Sequence, residues 1–459
     1  MSAGPFNKLA FLLRRIPAHA AVAGGWVALF QSASKVLFQE GPRVFWRKGM
    51  RFFGVVPRPS EIHADGTRFT LGGLQPPANK SERKSVRLIA FYLPQYHPIP
   101  ENDAWWGKGF TEWTNVAKAQ PNFAGHYQPH LPGELGFYDL RLPDVRQKQA
   151  ELATKYGVHG FCYYYYWFNG QRLLSRPLDE VIESGQPSLP FCICWANENW
   201  TRTWDGRDHH VLMAQQYSDA NDDMFIRSLF PALMDNRYIR VNGKPLILIY
   251  KASLLPDPRR TTELWRTICK QAGIGDIYLA CVQNLTNGST VVDPRSLGFD
   301  AGVEFPPLGG GVPTMPPDSP LNPYFKGLYY DYWETAKNFI SVNTPAFPWF
   351  RGVMPSWDNT ARRQDAAHVF LDSSPRTYQR WLDFLIEWTV RERSGDERIV
   401  FINAWNEWAE GNHLEPDQAF GRAYLNATRA ALEGVTSLAE RASGNTAPAG
   451  LSNNKPLDR

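Results

Sequence analysis

IVFINAWNEWAEGNHLEP, Ile399 to Pro416, changes character part-way along. Ile399, Val400, Phe401 and Ile402 read as a buried strand; then tryptophans at 405 and 408 frame Asn406, Glu407 and Glu410, and a third carboxylate follows at Glu415. Residues three apart point to opposite faces of a strand but share one face of a helical turn. If the strand ends near Trp405 and the chain turns helically, Glu407 and Glu410 enter the same space with β-carbons about 5–6 Å apart. Carboxyls set among indole rings are partly desolvated, which raises their pKa and suits proton transfer. A close pair also suits work on a single sugar. The plainer reading of the same residues is a salt-bridged surface turn.

Working outward, the strand is the last of eight similar apolar, β-rich runs, the others at Leu88–Leu93, Gly160–Phe168, Phe191–Ala196, Leu246–Tyr250, Ile277–Val282, Ala301–Phe305 and Phe350–Met354. Helical periodicity occupies Val145–Tyr156, Asp222–Met234, Thr261–Ala272, Tyr329–Ile340 and Pro375–Arg393. Continuous apolar strands alternating with helices predict a parallel sheet covered on both faces. Eight units predict an α/β fold, a closed (β/α)8 TIM-type barrel with long βα loops. The rival is an open doubly-wound sheet. Polar and aromatic residues recur at nearly every strand end (Gln95, Asn169, Asn197, Tyr250, Gln283, Glu304, Asp358, Asn406), and only a barrel gathers those ends on one rim.

Candidate site residues follow from that rim. After the first strand, YLPQYHP supplies Tyr92, Gln95, Tyr96 and His97, and the long loop beyond it adds Trp113. His97 reads as a proton shuttle or as a hydrogen-bonded loop residue. The run Tyr163–Asn169 alternates between interior and outer layer, so at most half of its tyrosines face the site; Trp167 is carried as a candidate. Past the third run, Asn197 and Glu198 suit hydroxyl recognition, and Trp200 and Trp204 suit stacking on a sugar ring. A Glu198–Arg202 salt bridge is the plainer alternative. Tyr250, Glu304 and Trp357 complete the rim; Asn406 reads as a holder of a sugar hydroxyl or as orienting Glu407, and Trp405 and Trp408 read as core or platform, Trp408 being the better platform. His413 and Glu415 read as supports of the pair or as ordinary loop polarity.

Composition bounds the rest. The 459 residues hold 17 Trp, 19 Tyr and 27 Phe, enough for sugar platforms or for a large core. A net charge of +4 does not suggest a nucleic-acid partner. Five cysteines, mostly in strand-like runs, read as buried free thiols of a reducing compartment, hence a cytoplasmic protein. His209 and His210 neighbour each other without further ligands at suitable spacing, so no metal and no cofactor is expected. An Asp-x-Asp motif, a phosphate-binding glycine loop and a nucleophile elbow are all missing.

Residues 1–85 read as a basic extension and linker, 86–436 as the barrel, and 437–459 as a disordered tail. The extension has no acidic residue before Glu40, and its apolar runs fall short of the ~20 residues that span a bilayer. Arg14 and Arg15 interrupt a signal-peptide reading while inviting a twin-arginine one. The stretch Val44–Gly54, VFWRKGMRFFG, suits peripheral contact with an anionic inner-membrane surface or a solvated basic helix. Oligomeric state leaves no mark in the sequence.

Together, FYLPQYHPIPENDAWWGKGFTEWTNVAKA, GFCYYYYWF, CWANENWTRTWDG and NAWNEWAEGNHLEPD resemble the WbsX-like family of polysaccharide-biosynthesis proteins, in turn similar to the glycoside hydrolase family 99 endo-α-mannosidases. The likeness runs from about Arg87 to Arg429. It implies a (β/α)8 barrel in which Glu407 is the base that helps the substrate's own 2-hydroxyl attack the anomeric carbon. It implies Glu410 as the acid that protonates the leaving oxygen, with retention through a 1,2-anhydro sugar. The expected function is metal-independent cleavage or transfer at a glycosidic bond of a bacterial surface polysaccharide or its precursor. A transferase using an activated sugar donor and a non-catalytic glycan-binding barrel are the alternatives.

Overall fold

The computed structural model describes residues 78–202, 207–283, 292–317 and 319–435, without the side chains of 202 and 207–209. Residues 1–77 of the basic extension and linker, the C-terminal residues from 436 and Trp204 lie outside the described residues. So do the Arg202 and His209 side chains.

Eight parallel strands close on themselves. They are β1 (Arg87–Tyr92), β2 (Val158–Phe168), β3 (Phe191–Trp195), β4 (Lys244–Ile249), β5 (Tyr278–Gln283), β6 (Ala301–Glu304), β7 (Trp349–Val353) and β8 (Ile399–Ile402). Each pairs with the next in chain order, and β8 returns to β1 with Ile89 opposite Phe401. The chain is therefore a (β/α)8 barrel. All eight expected runs are strands, because each is apolar on both faces and has a helical layer outside and packed rings within. Inside, Phe91 meets Phe305 at a 4.8 Å centroid distance and Phe401 at 5.4 Å, plugging the barrel below its C-terminal rim. All five cysteines are free and buried.

The outer helices include α1 (Lys80–Lys84), α2 (Pro143–Lys155), α3 (Asp219–Ser228), α4 (Pro258–Gln271), α5 (Tyr332–Ile340), α6 (Pro375–Glu392) and α7 (Ala423–Glu433). Three differ from expectation. The helix read as Asp222–Met234 is two, broken at Leu229, where Pro231 enters the first turn of the following segment, Phe230–Met234, and cannot donate a helical bond. Tyr329 belongs not to α5 but to a strand, Leu328–Asp331, which pairs with His368–Leu371 above the barrel. Residues 78–85, read as linker, include α1: Asn79 caps it in a capping box, and buried Arg83 bridges Asp383 and Glu387 of α6 and donates to the Ala431 carbonyl of α7. Among the described residues, no helix is long and apolar enough to cross a membrane.

Candidate active site

The rim encloses a cavity of about 380 Å3. Its lining comes from the ends of most strands: Leu93 and Gln95 after β1, Tyr164 and Tyr166 on β2, Glu198 to Thr201 after β3, Tyr250 after β4, Phe305 and Leu308 after β6. Trp357, Asn359, Arg362 and Arg363 follow β7, and Glu407 and Glu410 follow β8. That is where barrels carry active sites, because loops there vary without disturbing the strands.

A small hairpin delivers the two glutamates. Asn406–Glu407 pairs antiparallel with Asn412–His413, and Trp408–Glu410 forms one 3-10 turn between them. The expected helical turn is this single 3-10 turn, held within a tight hairpin. Both carboxylates line one cavity. Gly411 closes the turn at φ +56°, and an added Cβ there would meet the Asp358 carbonyl at 2.9 Å. The Asp358 amide also donates to the Glu410 carbonyl at 2.7 Å, locking the turn to the β7 loop. Gly411→Ala is therefore expected to cost about 1–3 kcal/mol in a urea unfolding titration, since alanine is strained at positive φ and the neighbouring backbone is fixed.

Two further side chains hold the hairpin from behind. The Asn406 carboxamide accepts from the Leu93 amide at 2.7 Å and donates to the Leu93 carbonyl at 3.0 Å, stitching it to the end of β1. Glu415 is buried and accepts from Trp408 Nε1 at 2.7 Å, the Tyr138 hydroxyl at 2.7 Å and Gln149 Nε2 at 2.6 Å. Burial raises its carboxyl to about 7 in spite of those donors. It supports the hairpin rather than facing the cavity.

The centre of the cavity is an arginine that the sequence reading did not single out. Arg362, in the helical turn Thr360–Arg363, donates Nε to Glu112 Oε1 at 2.7 Å, Nη1 to Glu410 Oε1 at 2.5 Å and Nη2 to Glu407 Oε2 at 2.8 Å. Glu407 and Glu410 are thus salt-bridged, but inside the protein rather than on a surface turn. Glu112 is fully buried, and its other oxygen has no hydrogen-bond partner among the described residues. Burial pushes Glu407 up to about 8 and also raises Glu410; for Glu407 the neighbouring carboxylates add to the rise and Arg362 opposes it. Burial works against the charge of Arg362, but the three carboxylates hold its pKa well above the ordinary arginine value. Burial and the crowding of carboxylates around one guanidinium both favour a bound proton on Glu407 and Glu410. The signal for Arg362 was the Arg362-Arg363 pair just past Trp357 and Asp358, which in sequence looks like ordinary surface charge.

Of the expected rim residues, Gln95, Glu198, Trp200, Tyr250 and Trp357 line the cavity with Glu407 and Glu410. Glu198 lies 3.8 Å from Lys251. Trp200 packs edge-on against Tyr166 at 5.0 Å. The others lie elsewhere. Tyr92 sits one residue beyond inward-facing Phe91 and so points outward, donating to Gln149 Oε1 at 2.8 Å. Trp167 likewise faces the helices and donates to Asn221 Oδ1 at 2.9 Å. Tyr96 lies beneath the hairpin, donating to the Asn406 carbonyl and accepting from the Trp408 amide. The Trp113 indole donates to the Tyr138 carbonyl at 2.8 Å. Trp408 is no open platform: it is 1% exposed, stacked on His413 at 3.8 Å and committed to Glu415. His97 donates to the Pro94 carbonyl at 3.0 Å, the loop-residue alternative. The Asn197 side chain accepts from the Lys251 amide at 2.8 Å and donates to the Lys251 carbonyl at 2.9 Å, joining two loops. Glu304 is buried against Arg351 at 2.8 Å.

Comparison with known proteins gives the family. The family described as Glycosyltransferase WbsX matches residues 88–428. The chain belongs to that family. Two relatives named uncharacterized protein WxcX, from Xanthomonas campestris pv. campestris strains B100 and ATCC 33913, are each 48% identical to this WbsX-family chain over 352 residues, 76% of it. The chain spans about half the length of these relatives, 50% in each case. Among solved structures, a glycoside hydrolase-like protein superposes with a TM-score of 0.50 at 14% identity, covering 79% of this chain and 98% of its own. The GH99 endo-alpha-mannosidase from Bacteroides thetaiotaomicron gives a TM-score of 0.48 at 17% identity, over 76% and 97% of the respective chains. At 14% identity the first of these likenesses speaks for the fold alone.

Proposed function

We propose that this WbsX-family barrel cleaves or transfers at a glycosidic bond of a bacterial surface polysaccharide or its lipid-linked precursor, with Glu407 and Glu410 as the working carboxylates. The observation that carries the reading is the Arg362 cluster: two carboxylates on one turn, proton affinity raised by burial, in a cavity walled by Tyr164, Tyr166, Trp200 and Trp357. Aromatic faces and a few convergent polar groups suit a pyranose ring. The pair supplies what the chemistry needs without a metal, one group to give a proton and one to accept it.

The resemblance implies Glu407 as base and Glu410 as acid, and the cluster accommodates that direction of proton flow. At rest the deeper Glu407 has a raised proton affinity, its side chain 6% exposed against 20% for Glu410. A sugar hydroxyl donating to Glu407 favours its ionised form, and the shared proton then shifts to Glu410 beside the leaving oxygen. Glu407 thereby serves as base toward the substrate hydroxyl and Glu410 as acid. Arg362 keeps the two carboxylates in one geometry throughout. Gln95, Glu198 and Asn359 are placed to read hydroxyl groups.

A transferase reading is favoured by one feature, the second cavity-lining arginine, Arg363, beside Arg362, which suits an anionic leaving group such as a diphosphate. Incubation with α-linked glycans and, separately, with nucleotide-activated sugars tests both. New reducing ends or a new linkage from the glycan is the expected result. Sugar uptake from the nucleotide donor alone supports the transferase reading, and binding without turnover of either class leaves a glycan-binding barrel.

A further inference from the structure

On the far side of Trp357, whose ring lines both spaces, lies a second cavity of about 630 Å3. His130, His413 and Asp417 line it, each buried, and one ligating atom of each lies within 4.8 Å of the other two. His130 and His413 are 283 positions apart in sequence, so only the closed barrel brings them together.

The histidine geometry is directional. His413 Nδ1 is 3.0 Å from the Glu415 carbonyl, which can only accept, so Nδ1 carries the proton and Nε2 offers a lone pair. That lone pair accepts from His130 Nδ1–H at 3.0 Å, and a bound cation would take the place of that proton, His130 then carrying its hydrogen on Nε2. A ring nitrogen turned inward while the other is tied to a carbonyl is the arrangement that fixes a metal-binding tautomer. Asp417 adds a carboxylate 4% exposed, which accepts from the Phe420 amide at 2.6 Å. Among the described residues no lysine or arginine pairs with it, and a buried carboxylate ordinarily has a cation or a metal beside it.

We propose that His130, His413 and Asp417 bind one zinc-class divalent cation, with the fourth position open to the second cavity. Two imidazoles and one carboxylate are a donor set for zinc rather than for calcium or magnesium. Ligands about 2.0–2.2 Å from a tetrahedral zinc lie roughly 3.4 Å from one another, so the histidine pair is nearly placed and Asp417 closes in by a side-chain rotation. The cation joins the long loop after β1 to the hairpin that carries Glu407 and Glu410. Its role is to pin that hairpin; it lies across Trp357 from the carboxylate cavity, and its open position takes water or a carbohydrate oxygen.

The test uses the full chain, stripped with chelator and titrated with zinc chloride by calorimetry, with bound metal counted after dialysis. One equivalent per chain is expected, accompanied by a rise in Tm. Asp417→Asn, close to isosteric, and His130→Ala are each expected to weaken binding by about 100-fold, while His210→Ala, at an exposed position, retains the equivalent. Cobalt(II) loading of the wild type provides a reading free of folding effects in the variants, and the intense visible bands of a tetrahedral ion are expected. Sub-stoichiometric zinc, binding unchanged in Asp417→Asn and His130→Ala, or only the weak spectrum of hydrated cobalt overturns the proposal.

Discussion

Glu410→Gln is expected to lower turnover of a glycan substrate by about 10²–10⁴-fold while leaving its affinity within a few-fold of wild type. Glutamine keeps the shape and an oxygen able to accept from Arg362 Nη1, the bond Glu410 makes at 2.5 Å. It cannot give a proton to a leaving oxygen. The change therefore removes an interaction made only during bond cleavage, which lowers kcat and kcat/KM together. Steady-state kinetics on the two proteins provides the check, with a leaving group of low pKa as control. An activated aryl leaving group, which departs without protonation, is expected to restore much of the lost rate. Wild-type turnover of an unactivated glycan by the variant would remove Glu410 from the acid role.

Arg362→Ala is expected to cost about 3–5 kcal/mol of folding stability at pH 8 and clearly less at pH 5. Arg362 is a cation shared by Glu112, Glu407 and Glu410, with a side chain only 16% exposed. Without it, three carboxylates remain buried against one another. The pH dependence follows from the direction of the shifts. Glu407 is raised from 4.5 to about 8 in the folded state, so its contribution to stability is fully present below about pH 4.5 and is lost as pH rises through about 8. Glu410 is raised as well and acts in the same direction. Removing the arginine raises both further, and the loss of stability with pH becomes steeper. Urea unfolding of both proteins at the two pH values measures this, and an equal cost at pH 5 and pH 8 would show that the cluster is not charged as described.

The barrel was readable in the sequence because each strand is a short continuous apolar run, a pattern that a sheet buried on both faces requires. The Leu328–Asp331 strand was not, since its partner begins forty residues later at His368 and nothing local marks the pairing. The same division holds at the site. Glu407 and Glu410 stood out because two carboxylates among tryptophans are costly unless used. Tyr92 and Trp167 were misplaced by parity: neighbouring strand residues face opposite sides, and Phe91 and Tyr166 take the inward positions. Of their two readings, Asn406 takes the positioning role and Trp408 the core one, because a tight hairpin needs its own buried anchors. Arg362 was missed since its partners, Glu112 and Glu410, lie 250 and 48 positions away, and only barrel closure joins them.

A crystal structure of the Glu410→Gln protein soaked with an α-linked disaccharide tests the central claim most directly. The expected result is one pyranose against Trp200 or Trp357, its glycosidic oxygen within hydrogen-bonding distance of residue 410 and a ring hydroxyl on Glu407. A disaccharide bound away from both side chains, with the Arg362 cluster undisturbed, would contradict the claim that this pair acts on a glycosidic bond.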